Sequence, residues 1–122
     1  MSADIEVSFA RLAVEHWKLL QVLNRLVPLL PFESQDRVRA QARFAASQLN
    51  ALVSAQDFQL ATFEGRRFEP NLPVTAINSQ DFSPDSCLQV SATIEPTVVS
   101  NGRIIQLGKV ALSEEAPDAS RN

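Results

Sequence analysis

The sequence predicts an α+β protein in which an N-terminal helical hairpin, dimerising into a four-helix bundle, precedes a small all-β domain. Before residue 56, apolar side chains recur at alternating steps of three and four residues, and prolines divide this region into two helices. In the β part, β-branched runs flank Asn101-Gly102, the dipeptide that best tolerates the two positive φ angles of a type I′ turn.

The composition is typical of a globular chain and excludes several functional classes. Of 122 residues, 45% are hydrophobic and 20% are charged. The net charge of −3 and the pI near 5.1 argue against a general affinity for nucleic acid or anionic membranes. The single cysteine, Cys87, excludes an internal disulfide. Residues 1–7 contain no basic residue, whereas a signal peptide begins with a basic region. We therefore expect a cytoplasmic protein that binds neither nucleic acid nor membrane.

The first helix is predicted at about residues 5–27, where the apolar spacing forms a heptad seam. Pro28 and Pro31 end the helix because a proline lacks the N–H that a continuing helix needs. The predicted seam residues are Leu12, His16, Leu19, Leu23 and Leu26.

The second helix is predicted from about residue 33 to residue 55 and carries a similar stripe. The stripe consists of Val38, Ala42, Ala45, Leu49 and Leu52. A two-helix hairpin cannot bury both stripes alone, and two hairpins would bury them in a homodimer. The alternative is that one hairpin packs on its own β region.

The β domain is predicted at residues 57–113. Leu88, Val90, Ala92 and Ile94 alternate with polar residues, which predicts a strand that buries these four side chains on one face. The runs on both sides of Asn101 are predicted to pair as one hairpin over residues 94–112. Residues 114–122 are acidic and contain a proline, so we expect a disordered tail.

No arrangement typical of catalysis is present, so we predict that the chain is not an enzyme and needs no cofactor or metal. His16 lies on the helical seam and is interpreted as an interface residue, since leucines occupy the positions where further metal ligands would lie. Arg103 follows the tight turn and is predicted to project from it. A group of arginines on the second helix is either a solvated face or a docking patch for an acidic protein: Arg37, Arg39 and Arg43.

Two segments of the β region resemble the GrpE family of nucleotide exchange factors. The sequence Gly-Arg-Arg-Phe-Glu-Pro-Asn-Leu at residues 65–72 is similar to the family's Gly-x-x-Phe-Asp-Pro-Asn-x segment, with Glu69 in place of the aspartate. Residues 94–112 are similar to its final hairpin, including Asn101-Gly102-Arg103. The family's usual histidine three positions after the motif proline is Pro73 here.

The resemblance implies a dimer whose β domain docks on the ATPase domain of a DnaK-type chaperone and holds the nucleotide cleft open, so that ADP leaves. Docking of this kind shifts the equilibrium from the closed to the open form of the cleft, and it needs no catalytic residue. The family's apolar contact set corresponds to Phe68, Pro70, Ile94 and Leu112, and its ion-pairing arginine to Arg103. Two alternatives remain open. Phe68, Ile94 and Leu112 are core residues instead, or the chain is a dimeric adaptor of similar fold that binds a different protein.

Overall fold

The computed structural model describes residues 3–115 of the chain. This part contains two long helices followed by six short strands. The predicted α+β class is therefore confirmed. Helix α1 spans Ala3–Leu26 and helix α2 spans Phe32–Ala55. The connection contains a 3₁₀ turn at Val27–Leu29, in which the Leu30 N–H donates to Val27 O at 3.0 Å. The prolines thus separate the helices where the sequence predicts.

The six strands form two three-stranded sheets, with the orders β1–β4–β5 and β2–β6–β3. Strand β2 runs parallel to β6, and all other pairs are antiparallel. No local sequence pattern predicted the parallel pair, because it joins segments more than thirty residues apart. The strands are β1 Phe58–Ala61, β2 Val74–Ala76, β3 Leu88–Glu95, β4 Thr97–Ser100, β5 Arg103–Gln106 and β6 Gly108–Glu114.

The tip of the predicted hairpin is confirmed, but its arms divide between the two sheets. Asn101 and Gly102 have φ angles of 52° and 78°, as a type I′ turn requires. The inner arms, β4 and β5, belong to the first sheet, and the outer arms, β3 and β6, belong to the second. The ribbon passes from one sheet to the other at Pro96 and Leu107. The predicted pairing of the two runs is therefore confirmed, because both the inner and the outer arms pair antiparallel, but their division between two sheets was not predicted.

The crossing point brings two backbone segments into direct contact. A Cβ on Gly108 would lie 2.5 Å from Glu95 O and 2.7 Å from Thr97 N. The Thr97 hydroxyl accepts a hydrogen bond from the Gly108 N–H at 2.9 Å and donates to Pro73 O at 2.6 Å. Glycine is needed at position 108, because the Cβ of any larger residue would collide with the backbone at Glu95 and Thr97.

Two β-bulges in β3 overturn the predicted alternation of this strand. Ala92, Thr93 and Glu95 lie opposite Ala111, Val110 and Lys109 respectively, so Ser91 and Ile94 are the extra residues on β3. An extra residue reverses the face of every side chain that follows it. Ile94 follows the bulge at Ser91 and is consequently 38% exposed. Glu95 follows both bulges, so it keeps the face opposite to Val90, and it is 3% exposed. The expectation that Ile94 is buried with Val90 is wrong.

Both helices pack on the first sheet and share its core. The buried residues of this cluster are Ala10, Ala13, Val14, Leu20, Leu49, Val53, Phe58 and Val98. Phe9 of α1 meets Phe58 of β1 edge to face, with ring centroids 5.0 Å apart. The alternative in which the hairpin packs on its own β region therefore holds for one face of each helix. A second cluster lies on the second sheet and contains Leu72, Val90, Val110 and Leu112.

Strand β6 ends at Glu114, one residue beyond the predicted boundary of the β domain. Glu115 then forms a salt bridge with Arg67, whose Nε lies 2.8 Å from Glu115 Oε1. The remainder of the tail predicted to be disordered lies outside the described residues.

Candidate protein-docking site

The structure separates the residues predicted to contact a partner into four places. Phe68 and Pro70 lie beside the first residue of β3, and Ile94 lies near the other end of that strand. Arg103 follows the β4–β5 turn, and Leu112 lies inside the second core cluster. Since seven residues of β-strand span roughly 20 Å, the predicted set does not form one small patch.

Phe68 and Pro70 line an open cleft of about 660 Å³, together with Phe82, Pro84 and Leu88. The Phe68 N–H donates to Leu88 O at 2.8 Å and fixes the loop against the outer edge of β3. Phe68 also packs against the second core cluster, while Pro70 is exposed. Serines and a glutamine line the cleft as well, so this cleft, which we call the aromatic cleft, offers apolar contact beside polar groups.

Ile94 faces a second cavity, a groove of about 360 Å³ between α1 and β3. Trp17 and Val22 of α1 and Ala92 of β3 line it as well. We call it the α1–β3 groove. The bulge at Ile94 directs this apolar side chain away from the core, and so the predicted contact residue is available to a partner.

Glu95, next to Ile94, is a buried carboxylate that connects α1 to the second sheet. Its Oε2 accepts a hydrogen bond from Lys18 Nζ at 2.9 Å and lies 3.4 Å from an Arg11 guanidinium nitrogen. Lys109 Nζ of β6 lies 4.0 Å from Oε1. A buried carboxylate needs such partners, because without them nothing would compensate for the loss of its hydration.

The surroundings of Glu95 favour its ionised form. Burial by itself raises the pKa of this carboxyl, but the Lys18 hydrogen bond and the charges of Arg11, Lys18 and Lys109 lower it by more. The pKa of Glu95 consequently lies below the ordinary value of a glutamate. The carboxylate is therefore charged at neutral pH and holds the three cations around it.

The Arg103 side chain is 65% exposed. It was predicted to project from the turn, but it also lies close to helix α1. One of its guanidinium nitrogens lies 3.5 Å from Glu6 Oε2 in the first turns of α1. The Glu6 carboxylate is half-buried and the Arg103 guanidinium is exposed, and a pair at this distance contributes little to stability. Arg103 can thus still serve as an anchor for a partner.

Leu112 is 3% exposed and packs with Val90 and Val110 in the second core cluster. This placement agrees with the alternative interpretation of Leu112 as a core residue. A partner would reach its side chain only if the sheet opened, so we leave Leu112 out of the docking surface.

The residues predicted for dimerisation divide into an exposed set and a buried set. On α1, Leu12 and Leu19 are 69% and 67% exposed, and His16 and Leu26 are exposed as well. On α2, Ala42 and Leu49 are buried, and Leu52 is exposed. The half-buried members are Leu23, Val38 and Ala45. Most of the α1 seam is thus exposed, while most of the α2 stripe faces the core of its own chain.

Sequence reasoning missed Glu95, Ile5 and Phe44. Ile5 lies seven residues before Leu12 and extends the exposed seam, a signal that the heptad spacing contains. Phe44 is an exposed aromatic residue on α2, outside the predicted stripe. Glu95 carries no such signal, because its burial depends on Arg11 and Lys18 of α1, which are far from it in sequence.

Within residues 3–115, no group of three or more His, Cys, Asp or Glu side chains is arranged to hold a metal ion. Neither helix of this part combines the length and apolarity needed to cross a membrane. Cys87 is exposed, and no disulfide partner for it exists in the sequence.

Comparison with known proteins identifies no relative: no family model matches the chain, and no curated protein and no solved structure is significantly similar to it. The resemblance to nucleotide exchange factors consequently stays a prediction.

Replacing Glu95 by glutamine should lower the free energy of unfolding at pH 7 by about 1–2 kcal/mol, since the amide cannot neutralise Lys18 and Arg11. Because the folded-state pKa of Glu95 is depressed, its contribution is present above the unfolded pKa, near 4.3, and is lost as the pH falls through the folded pKa. The wild-type protein should therefore approach the Glu95→Gln variant in stability at pH 3. Urea unfolding, followed by the fluorescence of Trp17, measures both differences.

The matched control is Glu15→Gln, which removes a half-exposed carboxylate from the same network. It should change stability by less than about 0.5 kcal/mol at either pH. An equal loss for Glu95→Gln at pH 7 and pH 3 would contradict the ionised role of Glu95.

Proposed function

We propose that the chain is a nucleotide exchange factor of the GrpE type, which docks on the ATPase domain of a DnaK-type chaperone and promotes release of ADP. The order of its elements supports this proposal, since a helical hairpin precedes a small β region with a tight Asn101-Gly102 turn. The exposed positions of Ile94 and Arg103, both matched to the family's contact residues, are the observation on which the proposal mainly rests. The proposed site of action is the cytoplasm.

The mechanism requires binding and no bond chemistry. The docked β region would stabilise the open form of the nucleotide cleft, and the equilibrium would shift by the difference between its affinities for the open and closed forms. Ile94 and the aromatic cleft supply apolar contact, and Arg103 supplies one charged contact that exchanges Glu6 for a carboxylate of the chaperone.

The proposal includes a homodimer that forms through the exposed seam of α1. Ile5, Leu12, Leu19 and Leu26 recur at intervals of seven residues and are all exposed. A heptad seam of this length is complementary to a second helix with the same spacing, and a second copy of the chain presents one. Phe44 and Leu52 of α2 add exposed apolar surface to the same proposed bundle.

Replacing Leu19 by aspartate should dissociate the dimer, because the twofold axis places two charges in the apolar seam. We expect the dissociation constant to rise by ~100-fold or more. Sedimentation equilibrium, with 13.4 kDa for one chain, gives the mass directly.

Val7→Asp is the matched control for this experiment. Val7 is 56% exposed on α1 but lies outside the seven-residue series, so this variant should remain dimeric. A wild-type protein that sediments as a monomer at micromolar concentration, or a Leu19→Asp variant as dimeric as Val7→Asp, would contradict the dimer.

The wild-type protein should accelerate the release of fluorescent ADP from a DnaK-type chaperone. Arg103→Ala and Ile94→Asp should each weaken the half-saturating concentration about tenfold, as the loss of a central contact does. Stopped-flow fluorescence measures the release rate as a function of protein concentration.

Arg43→Ala is the control, since Arg43 is an exposed arginine on α2, away from the proposed contacts. If the folded protein accelerated ADP release from none of a panel of such chaperones, exchange activity would be excluded for that panel. The adaptor alternative would then be favoured.

A further inference from the structure

The α1–β3 groove is lined by apolar side chains, including Trp17 and Ile94, and by polar and charged ones, and part of the outer edge of β3 forms its base. The segment at residues 65–68 covers only the first half of the outer edge of β3. There the Val90 N–H donates to Arg66 O at 2.9 Å, and the Gly65 N–H donates to Val90 O at 2.8 Å. From Ser91 to Ile94, no strand within residues 3–115 pairs with this edge, and the groove separates it from α1.

Cations predominate among the exposed charges around the groove. Arg11, Lys18 and Arg25 recur at intervals of seven residues along α1, and Lys18 and Arg25 line the groove itself. Lys109 approaches from β6. Arg11 and Lys18 reach Glu95 at the end of β3, but Glu95 is buried and presents no surface to a partner.

Only two carboxylates near the groove are exposed, Glu15 and Glu64. Glu15 pairs with Arg11 and also lies 3.8 Å from Lys18 Nζ, and Glu64 lies on the wall opposite α1. Within residues 3–115, Arg25 has no ion-pair partner. The α1 wall is therefore cationic, although the whole chain carries a net charge of −3.

We propose that the α1–β3 groove is a docking site for an acidic segment of the partner protein. An apolar side chain of that segment inserts between Trp17 and Ile94, and its carboxylates pair with Arg25 and Lys18. Glu64 repels carboxylates from the opposite wall, so the acidic side of the segment faces α1. This site deepens the proposed function, on which the identity of the partner as a chaperone ATPase domain rests.

The site assigns a contact role to helix α1, which the predicted docking set did not include. The partner segment contacts α1 and β3 together, and the Glu95 ion pairs hold these two elements next to each other. Electrostatic attraction to the cationic wall mainly accelerates association and selects acidic partners over basic ones.

Trp17 reports directly on this groove. It is the only tryptophan of the chain, which contains no tyrosine, so the emission of the protein above 300 nm comes from Trp17 alone. We suggest titrating the full chain with a synthetic peptide of alternating aspartate and leucine, and with a matched peptide in which asparagine replaces aspartate. The acidic peptide should shift the Trp17 emission with saturation, and raising the salt from about 0.05 to 0.5 M should weaken its binding.

Arg25→Glu should raise the dissociation constant of the acidic peptide at least tenfold, and Arg43→Glu should leave it unchanged. Circular dichroism verifies that both variants are folded. No saturable shift, an equal response to the asparagine peptide, or an equal effect of the two variants would each overturn the proposal.

The same variants separate this site from the exchange activity. If the acidic peptide binds at Trp17 while the protein releases no ADP from any chaperone, the groove stands and the proposed function fails. If the protein releases ADP but Arg25→Glu and Arg43→Glu perform equally in both assays, the proposed function stands and the groove is overturned.

Discussion

The buried carboxylate of Glu95 is the interaction on which the arrangement of this protein depends. It lies at the end of β3, directly before the point where the strand ribbon passes from one sheet to the other. Its partners Lys18 and Arg11 come from α1, and Lys109 comes from β6. One ionised group thus joins the helix to two strands of the second sheet, β3 and β6. Because the helix otherwise packs on the first sheet, this network connects α1 to the second sheet as well.

The geometry of this corner also determines which residues the proposed docking surface presents. Gly108 allows the two crossing segments to touch, and Glu95 lies opposite Lys109, on the face of β3 that α1 covers. The bulges of β3 place Ile94 in the groove beside Trp17. The exposure of Ile94 therefore follows from the bulges, and the burial of Glu95 follows from the cations of α1.

Local patterns predicted the helices and the turn, whereas contacts between distant segments decided the rest. The Asn101-Gly102 turn requires only its own two positive φ angles, and the heptad spacing of Leu12 and Leu19 depends only on one helix. The parallel pairing of β2 with β6 depends on segments far apart in sequence. The alternation of β3 suggested a regular strand, because Ser91 and Ile94 do not differ from ordinary strand residues. Accordingly, Ile94 was predicted as a contact residue from the family resemblance, and its exposure was not predicted from the strand pattern.

The coupling between Lys18 and Glu95 is the most direct test of this account. In a double-mutant cycle, the unfolding free energies of Lys18→Met, Glu95→Gln and the double variant are compared with that of the wild type at pH 7. The structure predicts a coupling energy of about 1–2 kcal/mol, since a charge-assisted hydrogen bond of 2.9 Å joins a half-exposed ammonium to a buried carboxylate. A coupling energy indistinguishable from zero would contradict the role of Glu95 as the junction of α1 and the β region.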